Sequence, residues 1–300
     1  MTDALRDDND RLTDALRRFL FKDLPVRGVL LQLSDEWRSL RARHDYDDAV
    51  ASLLGQASAA VVAIGSTMKF EGMLTIQLAG QGPLAMLIVQ CDDHAQFRGM
   101  AGEVSGEGND RFSALMGDGH LSLTVDARDA KDQYRGIVAL GGETLAENLK
   151  TYYEESAQLQ AHFVLLADND HAVALMLQRL PDVEDLVADD WHRLCLLADT
   201  LTLDELRGGA TTDLLQKIYA EDDIVVWPAA PVAFACRCDD ERAERAVRML
   251  GEADAMALLA ERDNEIEIVC EFCNTKRTLD AVDVSRLFNP AAVPGDPAVH

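Results

Sequence analysis

The chain has 300 residues, 48% of them hydrophobic, enough to bury a substantial core in one large domain with an appendage or in two domains. Its 28 basic residues against 53 acidic ones give a formal charge of −25, which repels phosphate backbones and anionic lipid surfaces and argues against nucleic acid or a membrane as partner. No uninterrupted apolar run reaches the roughly 18 residues of a membrane span, and the acidic start MTDALRDDNDRL lacks the basic and apolar regions of a secretory signal, so a cytoplasmic protein is expected.

In DNDRLTDALRRFLFKD, Leu12, Ala15, Leu16, Phe19 and Leu20 recur at helical spacing behind the capping candidates Asp8 and Asn9, which predicts an amphipathic first helix. VRGVLLQL (26–33) reads as a short buried strand, and SDEWRSLRARHDY behind Ser34 as a second helix. DDAVASLLGQASAAVVAIG is apolar and small on most faces, as suits a helix buried against a sheet. MLTIQLAG, PLAMLIVQC after a QGP turn, HLSLTVDA and YRGIVAL are strand signals that pair naturally as antiparallel hairpins. LAENLKTYYEESAQ is helical, and QAHFVLLAD with HAVALMLQRL makes a final hairpin. Runs of strands with helices grouped beside them predict an α+β domain over residues 1–180, built on a mostly antiparallel sheet with packed helices.

After Pro181, helical spacing resumes at Val183, Leu186, Val187, Trp191, Leu194, Leu197, Ala198 and Leu201, and TTDLLQKIY adds a short helix. Residues 181–232 are therefore expected to form an all-helical linker that continues through the Trp227-Pro228 break. Residues 233–289 hold helical DDERAERAVRMLG and ADAMALLAER, strand EIEIVC, a turn at EFCN, strand KRTL and helix DAVDVSRLF; the Pro- and Gly-punctuated 290–300 is expected to be a disordered tail. A final segment of about 55 residues is small to hold itself together by burial alone and needs a staple.

Four of the six cysteines supply one. CRC (Cys236, Cys238) and CEFC (Cys270, Cys273) are separated by 31 residues, and two close pairs of thiolates suit one tetrahedral zinc ion. The simplest use is a structural zinc ribbon. A ribbon that grips nucleic acid should be basic, whereas residues 236–287 carry eight Lys and Arg against thirteen Asp and Glu, a net of −5. A switch is the other use: zinc keeps the sulfurs as thiolates, which oxidants attack, and oxidation would expel the metal on which the small domain depends. The two cysteines of CRC are close enough to form a disulfide in a small ring that is readily reduced. A thiol oxidoreductase is disfavoured, because CEFC lies between two strands instead of opening a helix.

CRCDDERAERAVRMLG and CEFCNTKRTLDAVDV at this separation, with KFEGMLTIQLAGQGPL, GDGHLSLTVD and GGETLAENLKTYYEESAQ upstream, resemble the heat-shock protein 33 family of redox-regulated chaperones from about residue 12 to 288. KRTLD is less aromatic than the family's version of that stretch. The resemblance implies an ATP-independent holdase with one zinc ion per chain bound by Cys236, Cys238, Cys270 and Cys273 in the reduced, inactive form. It further implies that oxidative stress forms the disulfides Cys236–Cys238 and Cys270–Cys273. Zinc is then released, the switch domain and linker unfold, and a homodimer binds unfolding client proteins. A zinc-stabilised scaffold that binds one fixed protein without redox switching is the alternative.

Nothing else in the chain points to an enzyme. GxxxxGK[ST], GxGxxG and GxSxG are absent, and the seven histidines show no HExxH or paired spacing. Cys91 in a strand-like run and Cys195 on the linker helix have no partner cysteine nearby and read as small buried hydrophobes. Met68, Met73, Met86 and Met100 are core candidates that could also line an adaptable client surface.

Overall fold

In the computed structural model, which describes residues 13–105, 111–128, 134–180, 187–208 and 211–289, the chain divides into two units, Met1–Ala235 and Cys236–His300. In the first unit, one sheet is formed by β1 (Ala15–Phe21), β2 (Val26–Leu33), β8 (Ala161–Ala167), β9 (Ala172–Arg179) and β10 (Ile224–Val226) in the order β10-β1-β2-β9-β8, with β11 (Ala230–Pro231) also on β1. A second sheet has the order β12-β5-β4-β3-β6-β7, from β3 (Gly72–Gly80), β4 (Met86–Asp92), β5 (Gln96–Ala101), β6 (Gly119–Ala127), β7 (Tyr134–Ala139) and β12 (Ala233–Phe234). All pairings in both sheets are antiparallel except β12 on β5, so the α+β, mostly antiparallel expectation holds.

Helix α1 (Asp35–Arg41) starts where the Asp14 carboxylate accepts the backbone N–H groups of Ser34, Asp35 and Glu36, a cap supplied from twenty residues upstream. Helix α2 (Asp48–Thr67), capped by Asp47, packs against β2, β8 and β9 of the first sheet and β3, β4 and β5 of the second. It is long and apolar enough to cross a membrane by length and composition, but 72% of its most apolar window is buried, as the shared core of two sheets requires. The short α3 (Phe112–Met116) and α4 (Leu145–Glu155) complete this layer, with the Thr144 hydroxyl capping α4.

The other face of the first sheet is covered by α5 (Ala188–Ala198) and α7 (Thr211–Ile218), with α6 (Leu203–Gly208) between them in the chain. Leu194, Ala198, Leu215 and Tyr219 form one buried cluster with Phe19, Phe21, Leu30 and Leu175. Because both faces of this sheet are buried, β2 and β9 are nearly continuous apolar runs, whereas β3 of the second sheet alternates buried and half-buried residues.

The same burial corrects the amphipathic first helix: Ala15, Leu16, Phe19 and Leu20 belong to strand β1, held between β2 on one side and β10 and β11 on the other. Helical spacing arose there because a strand buried on both faces shows no alternation. Leu12, Asp8 and Asn9 lie outside the described residues, as do Val183, Leu186 and the tail 290–300. The expectation of an all-helical stretch to residue 232 is also corrected. The β-branched and proline-broken run after α7 is extended and forms β10, β11 and β12. Strand β5 and helix α3 had no sequence forecast.

The second unit packs α8 (Asp240–Leu250), α9 (Glu252–Glu261) and α10 (Ala281–Phe288) with the hairpin β13 (Glu265–Val269) and β14 (Lys276–Asp280). Its core is small: Ala243, Val247, Ala255, Leu259, Ile266, Leu279 and Val284.

Candidate metal centre

The four predicted ligands converge in the second unit. Cys236 and Cys238 lie in the extended segment leading to α8, which starts where Asp239 accepts the Arg242 N–H at 2.7 Å. Cys270 directly follows β13, and the turn there is closed by Asn274 N–H to Cys270 O at 2.7 Å and Cys270 N–H to Thr275 O at 3.0 Å. Asn274 takes a φ of 54° in that turn, a left-handed conformation that asparagine tolerates, and it swings Cys273 back towards Cys270. Arg277 on β14 ties the two halves together by donating to the Cys238 carbonyl at 3.2 Å and pairing with Asp240.

All four sulfurs lie within 4.8 Å of one another. Across the two motifs, Cys236 lies 3.7 Å from Cys270 and Cys238 lies 3.3 Å from Cys273. A tetrahedral ion with metal–sulfur bonds of about 2.3 Å sets its ligands about 3.8 Å apart, so the donor set fits a thiophilic tetrahedral cation such as zinc. Among the described residues this is the cluster whose ligand atoms converge for a metal.

Cys236, Cys238 and Cys273 titrate as an interacting set. Burial raises Cys236 to about 12 and also raises Cys238. Cys273 is pushed up by burial too, but the Thr275 hydroxyl and backbone, with the neighbouring thiols, bring it down to about 6. The Cys273 sulfur sits 3.2 Å from the Thr275 hydroxyl. The Thr275 hydroxyl and backbone thus favour the thiolate form of Cys273, as a bound cation would also do at the site. Thr275, Asn274 and Arg277 shape the site, yet cysteine spacing gave no signal for them; only the Asn after CEFC marks a turn.

The other two cysteines stand apart. Cys91 is 2% exposed on β4, and burial, with the carboxylates of Asp92 and Asp93, raises it to about 12. Cys195 on α5 is raised to about 12 by burial and by Asp199. All six cysteines are free thiols.

A family model described as "Hsp33 protein" matches residues 14–280. The 33 kDa chaperonin of Nitrosococcus oceani is 39% identical over 275 residues, covering 92% of this chain and 94% of that protein. That of Methylobacillus flagellatus is 34% identical over 296 residues, covering 97% of this chain and all of the relative. The crystal structure of the 33 kDa chaperonin from Thermotoga maritima superposes with a TM-score of 0.80 at 20% identity, covering 93% of this chain and 99% of that one, which shows the same fold. On the match to the family model and the similarity to full-length relatives, the chain belongs to the heat-shock protein 33 family.

Proposed function

We propose that this chain is an ATP-independent holding chaperone controlled by a zinc–thiolate redox switch. The observation that carries the reading is the convergence of Cys236, Cys238, Cys270 and Cys273 within 4.8 Å in a unit whose core comprises seven buried residues. These four would hold zinc, which when bound supplies charge neutralisation and a covalent staple for the unit. The chain's part is to gather the sulfurs, set the Thr275 hydroxyl against the buried Cys273, and leave Cys236, Cys238 and Cys270 half-buried, within reach of oxidants.

Oxidation removes the ligands. Each pair of thiolates, Cys236 with Cys238 and Cys270 with Cys273, would lose two electrons to the oxidant as one sulfur–sulfur bond forms; peroxide takes the two electrons with two solvent protons to become two waters, and hypochlorous acid takes them with one solvent proton to become chloride and water. A disulfide sulfur is a poor zinc ligand, so the metal leaves and the second unit loses its staple. Release of α5 and α7 would then bare the apolar face formed by Phe19, Phe21, Leu30 and Leu175, a surface suited to unfolded clients and to a second copy of the chain. A cytoplasmic setting, reducing until stress, fits four free thiols at one site.

The test is to treat the zinc-loaded, reduced protein with peroxide under mild heating and to follow zinc release, disulfide mapping by peptide mass and suppression of client aggregation. Zinc release with the two local disulfides and a gain in suppression is expected; equal suppression before and after oxidation refutes the switch. Cys236→Ser with Cys238→Ser should lose zinc, and an unchanged zinc content would remove these two as ligands.

A further inference from the structure

The last twelve residues of the first unit, IVVWPAAPVAFA (224–235), carry no charge in a chain of net charge −25, and their strands all lie on sheet edges. On the first sheet they cover β1: Trp227 N–H donates to Arg18 O and Val232 N–H to Asp14 O, both at 2.9 Å. On the second they cover β5, where Ala233 N–H donates to Ala95 O at 3.3 Å and Ala235 N–H to Phe97 O at 2.9 Å. One extended strap thus closes an edge of each sheet.

Its side chains fill apolar sites at alternate positions. Ile224 and Val226 pack on the cluster of Phe19 and Tyr219, and Val232 is 4% exposed. Phe234 meets Phe97 edge-on at 6.2 Å, with the Arg43 guanidinium 5.6 Å above its ring, and its N–H donates to Glu36 at 2.8 Å. A sheet edge accepts an incoming strand through main-chain hydrogen bonds, while the side-chain sites read only its pattern. An extended, uncharged segment apolar at every second residue is what an unfolded polypeptide offers, so the strap occupies its own edges as such a segment would. Ala235 is followed directly by Cys236, the first of the four clustered thiols, so the strap's C-terminal end is continuous with the second unit and would lose that anchor if the unit came apart.

We propose that the edges of β1 and β5, vacated by residues 224–235, dock extended apolar segments of unfolded polypeptides by strand addition. The proposal rests on the holding function above and names the surface that holds.

Hydrogen exchange of the full chain tests it in three states: reduced with zinc, oxidised, and oxidised with reduced, carboxymethylated α-lactalbumin as the unfolded chain. Peptides spanning 14–21 and 95–101 should exchange about tenfold faster or more after oxidation and regain protection when that chain binds. Binding while both peptides stay fast, or while they never lose protection, overturns the proposal. Protection that returns without α-lactalbumin, in a complex of two copies, overturns it as well, because a second copy's strap is then the occupant. The double variant Val232→Gly with Phe234→Gly loosens the strap without touching the thiols, so with zinc bound and no oxidant it should hold α-lactalbumin several-fold better than the unsubstituted chain. Unchanged holding by that variant counts against the edges. If oxidation releases zinc but no client is held, the redox reading fails, and the variant alone decides the docking site.

Discussion

Stripping zinc from the reduced protein should unfold the second unit and leave the first folded. The core of the second unit has five large aliphatic side chains, Val247, Leu259, Ile266, Leu279 and Val284. At about 1.5–3 kcal/mol each, their burial contributes roughly 8–15 kcal/mol before conformational entropy is counted. Structural zinc in small sites contributes about 10–16 kcal/mol, so the metal matches the whole aliphatic core. A segment of this size rarely keeps more than about 3–5 kcal/mol net from its core, and removal of a term several times larger leaves the unfolded state favoured. The first unit draws on two larger clusters, neither of which contains any of the four thiols. The assay is hydrogen exchange after a strong chelator, with a thiol reductant present so that metal loss is separated from oxidation. Amides of α8, α9 and α10 should exchange at unprotected rates while those of α2 and β9 stay slow. Persistent protection across α8–α10 in zinc-free protein would show that the aliphatic core suffices, and the reasoning would fail.

Three other consequences are open to direct measurement. Thr211→Val leaves the buried Arg17 guanidinium without the hydroxyl it now donates to at 3.1 Å, and should weaken docking of α7 by about 1–3 kcal/mol, read as faster exchange over 211–218. Gly28→Ala places a methyl 2.0 Å from the Phe19 ring, which must move, so urea unfolding of the first unit should show a loss of about 1–3 kcal/mol. Cys91 and Cys195, both raised to about 12, stay protonated below that value, so their alkylation in the native protein should be slow and should rise only as pH climbs well beyond 9; rapid labelling at pH 7 would contradict the burial argument.

The convergence of the four cysteines was legible because its information is local. CxC and CxxC place two sulfurs each within a turn, and the helix and strand signals between them matched α8, α9 and β13. What the spacing lacked was the geometry around the sulfurs: the left-handed Asn274, the Thr275 hydroxyl on Cys273 and the Arg277 tie to Cys238 depend on a hairpin turn and a long-range approach. In the first unit, sheet strands with one half-buried face, such as β3, revealed themselves by alternation. Strand β1 did not, because Phe19 and Phe21 face the layer of α5 and α7 while Leu16 faces α2's cluster, and its two polar residues, Arg17 and Arg18, fall one on each face and mark no period. The strap was missed for a related reason. Its pairings join residues more than two hundred positions apart on the first sheet and 137 apart on the second, and nothing within twelve residues announces which edge they will reach.

The sulfur geometry also bears on the order of events in the switch. In the folded unit each sulfur lies close to one of the other motif, Cys236 to Cys270 and Cys238 to Cys273, 34 and 35 positions apart in the chain. Cross-motif pairs are therefore within reach of each other in the folded unit as well as local ones. In an unfolded segment, proximity along the chain decides instead: closing a loop of three or four residues is favoured over one of about 35 by roughly 2 kcal/mol, less the strain of the smaller ring. That is a preference of tens of fold for Cys236–Cys238 and Cys270–Cys273. In the proposed switch, opening of the unit would therefore strengthen the preference for the local disulfides, whereas the folded unit offers cross-motif pairs as well. A mild oxidant should act productively only when something else, such as heat, has opened the unit, whereas a fast oxidant that converts one zinc-bound thiolate to a sulfenic acid removes a ligand and lets the unfolding itself direct the second bond. The disulfide map obtained with and without heating thus reports whether metal loss precedes or follows formation of the first bond.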